Sequence, residues 1–210
     1  MKLHGFFRSS ATHRVRIALN LKGVRVEQVS HHLPKGEHKT PGYMAVNPQG
    51  LVPSLVLDDG TVLTQSLAIL EWLEQTHPEP PLLPADPVRR AKINAFALVI
   101  ACDIHPVQSL GTLNRLRRMG VAEDAVKQWA IAVNMDGLNA CERLIAGEKG
   151  PFCFGDRPTM ADVFLVPQLG NARRNGADVS GFKHLMEIET ACMKLKAFVD
   201  AEPDKQPDAA

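Results

Sequence analysis

The sequence has almost no charge to spare: 24 lysines and arginines stand against 23 aspartates and glutamates, a formal net charge of +1. No dense basic stripe interrupts that balance, which argues against nucleic acid as a main partner. The chain also lacks any apolar run approaching the ~18 residues of a membrane span, so no membrane partner is expected, and residues 95–102 read as part of a buried helix. There is no Cys-x-x-Cys pair. The four cysteines, Cys102, Cys141, Cys153 and Cys192, are widely spaced, the pattern of reduced thiols in a cytoplasmic protein. The absence of a Gly-x-Ser-x-Gly elbow argues against a serine hydrolase. His31 and His32 are adjacent in an expected strand, so their side chains diverge, and no Cys or carboxylate stands at ligand spacing. No metal site is expected. Internal repeats are absent, and the chain enters a strand at once, leaving no room for a signal peptide.

What is present suffices for a sizeable core: 45% of the 210 residues are hydrophobic and 22% charged. The segment from His77 to Pro87 carries five prolines in eleven residues and cannot be an ordinary helix or central strand. It divides the chain. Residues 1–80 alternate short strands and helices, 81–87 form a linker, 88–201 show helical periodicity, and 202–210 form a polar tail expected to be poorly ordered. Residues 88–119 read as one long helix disturbed at Pro106, and 122–146 as a second. Thr159 and Asp162 make a capping-box-like start to a further buried helix, a structural feature rather than a catalytic one.

The chemistry is concentrated near the beginning. Residues 2–7 read as a strand, and Val15, Ala18 and Leu19 give the apolar stripe of a buried helix that Gly23 closes. Ser9 and Ser10 fall at the handover, with Ser10 the expected N-cap. The first N–H groups of such a helix lack intrahelical partners and, with the helix dipole, favour an anion such as a thiolate. Arg8 adds a positive charge beside them. Further on, Val52-Pro53 precedes a short apolar strand, Asp58-Asp59-Gly60 suits a hairpin turn, and Gln65-Ser66 opens another amphipathic helix with Leu67, Leu70 and Leu73 on one face.

These segments resemble the zeta-class glutathione transferases over essentially the whole chain. The likeness rests on Arg8-Ser9-Ser10 with Arg14-Val15-Arg16-Ile17-Ala18-Leu19, on Asn47-Pro48 with Val52-Pro53, and on Gln65-Ser66-Leu67-Ala68-Ile69. It continues through Leu82-Leu83-Pro84, Thr159-Met160-Ala161-Asp162, Val166-Pro167-Gln168 and Asn171-Ala172-Arg173-Arg174. Val-Pro and Gln-Ser alone would indicate a glutathione transferase of some class; the Arg-Ser-Ser and Ala-Arg-Arg segments point to zeta.

The resemblance implies an α/β plus all-α fold: a thioredoxin-like N-terminal domain followed by an all-helical glutathione-transferase C-terminal domain, with the ligand cleft between them. It implies glutathione as cofactor, a small dicarboxylic substrate, a homodimer, and isomerisation of maleylacetoacetate or maleylpyruvate. Ser9, helped by Ser10, would hydrogen-bond the glutathione sulfur and favour its ionised form. A cis Val52-Pro53 bond would free the Val52 backbone to pair with the cysteinyl part. Gln65 and Ser66 would grip the γ-glutamyl carboxylate, with His38 and Gln49 toward the glycine end. Arg8 and Arg174 would hold the substrate's carboxylates and the charge that develops during reaction, and His105, in Asp103-Ile104-His105-Pro106, would line the site. Adjacent on a helix, Arg173 and Arg174 point about 100° apart, so one of them enters the cleft; the family pattern selects Arg174.

The chain departs from the family at three places. Ala11 replaces the cysteine of Ser-Ser-Cys, His13 replaces a tryptophan, and Leu110-Gly111 stands where maleylpyruvate isomerases carry an arginine. Two other functions stay open on sequence: a transferase conjugating glutathione to α-halo acids or similar electrophiles, and a non-catalytic glutathione-binding protein.

Overall fold

The computed structural model describes residues 1–209; Ala210, the end of the expected tail, lies outside the described residues. The chain divides into two compact units, residues 1–81 with 195–209, and residues 82–194.

The first unit is built on a four-stranded mixed sheet in the order β2-β1-β3-β4, from β1 (Lys2–Gly5), β2 (Glu27–Ser30), β3 (Ser54–Val56) and β4 (Val62–Thr64). β1 runs parallel to β2 and antiparallel to β3, and β3 is antiparallel to β4. Helix α1 (Ser10–Leu21) joins the parallel pair, and α2 (Pro41–Val46) precedes the hairpin. Helix α3 (Ser66–Thr76) follows β4 and packs against α1. The hairpin turns through Leu57–Gly60, where the Leu57 amide donates to Thr61 O at 2.8 Å. Val15, Ala18 and Leu19 are buried as their spacing requires, and so are Leu70 and Leu73, with Ile69 replacing Leu67 on the inner face. Helix α1 is covered nearly all round, however: Arg14 and Arg16 are buried as well. At its end Lys22 pairs with Glu74 at 2.9 Å, both side chains buried, and donates to His77 O and Pro80 O.

The second unit is helical, with α4 (Pro87–Leu98), α5 (Leu110–Arg118), α6 (Glu123–Leu144), α7 (Met160–Arg174) and α8 (Lys183–Cys192). The single long helix expected over 88–119 is broken. After α4 the chain widens into a π-helical stretch, Val99–Ile104, closed by the His105 amide donating to Ile100 O five residues back at 2.9 Å. Pro106, which has no N–H to give, ends it. Gly137 of α6 allows the close approach of this stretch, for a Cβ there would sit 2.2 Å from Ile104 Cγ1. The capping box of α7 is as expected: the buried Asp162 carboxylate accepts from the Thr159 amide at 2.7 Å and hydroxyl at 2.8 Å, and also from the Cys153 amide at 2.8 Å. Burial pushes Asp162 above the usual carboxylate range, and these hydrogen bonds oppose the shift.

The end of the chain differs most from expectation. Residues 195–209 group with the first unit instead of extending the helical domain or hanging free. Short α9 (Lys196–Val199) packs on α1, Asn20 Nδ2 donates to Ala197 O at 3.0 Å, and buried Gln206 donates to Asp200 O and Glu202 O. Phe198 and Ala201 are fully buried in this segment, and beyond them the buried side chain is the polar Gln206, which is why composition alone suggested a free tail.

Candidate active site

Sheet register gathers the expected cofactor residues. β1 ends at Gly5, which aligns with Ser30 at the end of parallel β2; Ser54, the start of β3, lies opposite both His4 and Thr64. The segments carrying Ser9, His38, Val52-Pro53 and Gln65-Ser66 therefore all leave the sheet at one end, as do two histidines beyond them: His31 lies just past β2, its Nε2 2.9 Å from His4 Nδ1, and His32 caps a 3₁₀ turn.

Ser9, rather than Ser10, is the N-cap of α1. Its backbone is extended, and its Oγ accepts from the Thr12 amide at 3.2 Å. Because that bond uses a lone pair, the hydroxyl proton remains for an anion in front of the helix. Ser10 is the first helical residue, and its buried Oγ has no hydrogen-bond partner. The Ser10 and Ala11 amides have no partner within the helix. The Arg8 guanidinium carbon lies 5.3 Å from the Phe7 ring centroid. The chain's single tyrosine, Tyr43, is committed elsewhere, its buried hydroxyl bonded to Leu51 O at 2.6 Å and Ser54 Oγ at 2.9 Å. The Tyr43 hydroxyl is thus not the one offered to a thiolate in this unit.

The Val52-Pro53 bond is cis. The loop before it is held by Asn47 Nδ2 to Leu51 O at 2.7 Å and by Lys39 Nζ to Gln49 O at 3.0 Å. Gly50 sits in this cradle with φ +55, and a Cβ there would lie 2.9 Å from His38 O and 2.7 Å from Met44 Sδ. Gly50→Ala should therefore cost on the order of 1–3 kcal/mol through its left-handed backbone and contacts. A lowered melting temperature together with weaker glutathione binding by calorimetry is the expected outcome; an unchanged melting temperature would refute the cradle.

At the mouth of α3, Gln65 adopts φ +67 and its Nε2 donates to Gln49 Oε1 at 2.9 Å, which joins two of the expected residues directly. Ser66 Oγ accepts from Arg14 Nη1 at 3.3 Å. Arg14 belongs to the Arg14-Val15-Arg16 motif, and its burial places a cation behind the helix start. Burial, reinforced by Lys39 and His31, holds His38 below the usual histidine range, so it offers a neutral imidazole, and Lys39 supplies the charge beside it.

The second unit carries Arg174 and His105. Arg173 binds Glu189 of α8 through both guanidinium nitrogens, whereas Arg174 folds back along its own helix, its Nη1 3.4 Å from where a Gly170 Cβ would stand. The two arginines do diverge. Asn175, next to Arg174, donates to Gln108 Oε1 at 2.9 Å, which ties the end of α7 to the segment just after His105. Gln108 is buried and its Nε2 has no partner, a feature that sequence gave no reason to suspect.

Four free cysteines stand among the described residues. Burial pushes Cys141 up to about 12 and raises Cys153 and Cys192 as well, so none of these three is a ready nucleophile. No group of three or more His, Cys, Asp or Glu that could hold a metal occurs among the described residues, and no described helix is long and apolar enough to cross a membrane.

This donor set fits glutathione: a helix N-terminus with a free serine proton for sulfur, a second with Gln65 and Ser66 for a carboxylate, and unpartnered atoms at Ser10 Oγ and His38 Nδ1. The chain matches the glutathione S-transferase N-terminal domain over residues 8–76 and the C-terminal domain over residues 112–201, and it belongs to the glutathione S-transferase family. It is 45% identical to a maleylacetoacetate isomerase of Pseudomonas aeruginosa, over 99% of this chain and 98% of that one. A bacterial maleylpyruvate isomerase described as a zeta-class transferase has a structure that matches with a TM-score of 0.96 at 45% identity, over all of both chains. A maleylacetoacetate isomerase from Methylobacterium extorquens, with malonate and glutathione bound, matches with a TM-score of 0.96 at 37% identity, again over all of both chains. Within the family these likenesses place the chain in the zeta class.

Proposed function

We propose that the protein is a glutathione-dependent cis-trans isomerase of maleylacetoacetate or maleylpyruvate. The reading is carried by Ser9, which caps α1 with a lone pair and keeps its proton for an anion at the helix N-terminus. When bound, glutathione supplies a thiolate that adds to the cis double bond of the dicarboxylate and is expelled after rotation, so that the thiol is regenerated. Ser9 donates to the sulfur, and the Ser10 and Ala11 amides add positive potential. The Val52 backbone pairs with the cysteinyl portion. Gln65 and Ser66, with Arg14 behind them, hold the γ-glutamyl carboxylate; His38 and Gln49 meet the glycine end. Arg8 and Arg174 hold the substrate carboxylates and offset negative charge developing on its carbonyl oxygen, with His105 as a further substrate contact. Since Ala11 stands where the family has cysteine, that cysteine's direct role is not available here.

The Methylobacterium extorquens relative, with malonate as well as glutathione bound, supports a dicarboxylic substrate. The same proposal includes a cytoplasmic location, supported by the free cysteines, and a homodimer, supported by the family resemblance. Activity should require added reduced glutathione without consuming it. If thiol titre falls in step with product, the protein is a conjugating transferase.

A further inference from the structure

The turn that carries Arg8 and presents Ser9 is closed by the Ser9 amide donating to Phe6 O at 3.0 Å. Both backbone polar groups of Phe7, the first of the two residues the turn encloses, are held from outside it. Its amide donates to Asp208 Oδ2 at 3.0 Å, and its carbonyl accepts from Arg16 Nη2 at 3.0 Å. Asp208 is 201 residues further along the chain, yet its Oδ2 also accepts from Ser30 Oγ at 2.6 Å, which fixes the carboxylate against the end of β2. Arg16 Nε donates to Ala201 O at 3.1 Å, so a single guanidinium grips the turn and the returning tail together. Burial pushes Arg16 down to about 10, and the nearby Asp208 charge works against that shift. The guanidinium remains charged at neutral pH.

We propose that Asp208 and Arg16 are positioning residues: by clasping the Phe7 peptide on both sides, the end of the chain sets the turn that aims the Ser9 hydroxyl. Neither residue need touch glutathione. The inference rests on the reading of Ser9 as the donor to glutathione sulfur. Its physical basis is that a hydrogen bond weakens steeply as its angle opens, so a small rotation of the turn costs the thiolate its donor while leaving carboxylate contacts at α3 intact.

The test uses the full-length protein, with glutathione as probe, and three measurements: amide hydrogen exchange at Phe7 and Ser9, the ultraviolet absorbance of bound thiolate against pH, and glutathione affinity. Asp208→Ala should speed exchange at Phe7 and lower the thiolate fraction at neutral pH about tenfold, a part of the ~10²-fold associated with losing an oxyanion-type donor outright. Affinity should change much less. Asp208→Asn keeps an acceptor oxygen and should restore most of the thiolate. Gln28→Ala removes the bond from Gln28 to Gln206 and leaves the Asp208 and Arg16 bonds to Phe7 in place; it should leave the thiolate titration unchanged. An Asp208→Ala protein that titrates like the wild type overturns the inference, as does an equal shift in Gln28→Ala. A wild-type protein that binds glutathione with its thiol titrating as in free solution defeats the Ser9 reading itself, an outcome distinguishable from the other two.

Discussion

Ser9→Ala is expected to reduce turnover by on the order of 10²-fold, the usual loss when one donor to a developing or stabilised anion is removed. The same variant should lose about 1 kcal/mol of stability, because the Ser9 hydroxyl is also the cap of α1. The two effects separate in Ser9→Thr, which keeps both the hydroxyl proton and the capping oxygen and should retain much of each. Ser10→Ala behaves differently. Its hydroxyl is buried with no partner, so its removal should leave stability unchanged or slightly improved and should cost less turnover than Ser9→Ala. Steady-state kinetics and thermal melting on the three variants decide the matter. Should Ser10→Ala prove the more damaging to turnover, the sulfur donor has been assigned to the wrong serine.

The second large effect is expected at Arg174. Arg174→Ala should lose roughly 2–4 kcal/mol of transition-state stabilisation with dicarboxylic substrates, while glutathione affinity stays nearly unchanged. Lysine should recover only part of the activity, since it keeps the charge but not the planar, two-pronged donor set. Arg173 is the internal control: its guanidinium is spent on Glu189 at a partly exposed site, and such pairs contribute about 0–1 kcal/mol. Arg173→Ala should therefore change melting slightly and kcat/KM hardly at all. Equal kinetic damage from both variants would mean the pair acts structurally, and a silent Arg174→Ala would remove the case for a bound carboxylate.

Much of this was legible in the sequence where local chemistry dictates structure. The order of strands and helices in the first unit, the Asp58-Asp59-Gly60 turn, the capping box at Asp162 and the divergence of Arg173 from Arg174 follow from spacing and side-chain type. The cis Val52-Pro53 bond was expected only through the family resemblance. What stayed hidden depends on contacts distant in sequence. The cap passed from Ser10 to Ser9 because the turn at Phe6 closes one residue earlier than the start of the apolar stripe suggests. The apolar stripe of α1 marks one buried face only; that Arg14 and Arg16 are buried too depends on α3 and the returning tail, which bond to them from far along the chain. The break at Val99–Ile104 gave no signal beyond Pro106, since an apolar helix and an apolar π-helical stretch have the same composition.

The return of residues 195–209 to the first unit also bears on biosynthesis. Translation delivers residues 82–194 as one continuous stretch, so the helical unit has all of its chain while the sheet unit still lacks residues 195–209. The part made first is completed last. Until Asp208 clears the ribosome, the Phe7 amide lacks its acceptor, and a nascent chain stalled or truncated in those final residues would hold a formed helical unit beside a sheet unit with its polar groups unmet.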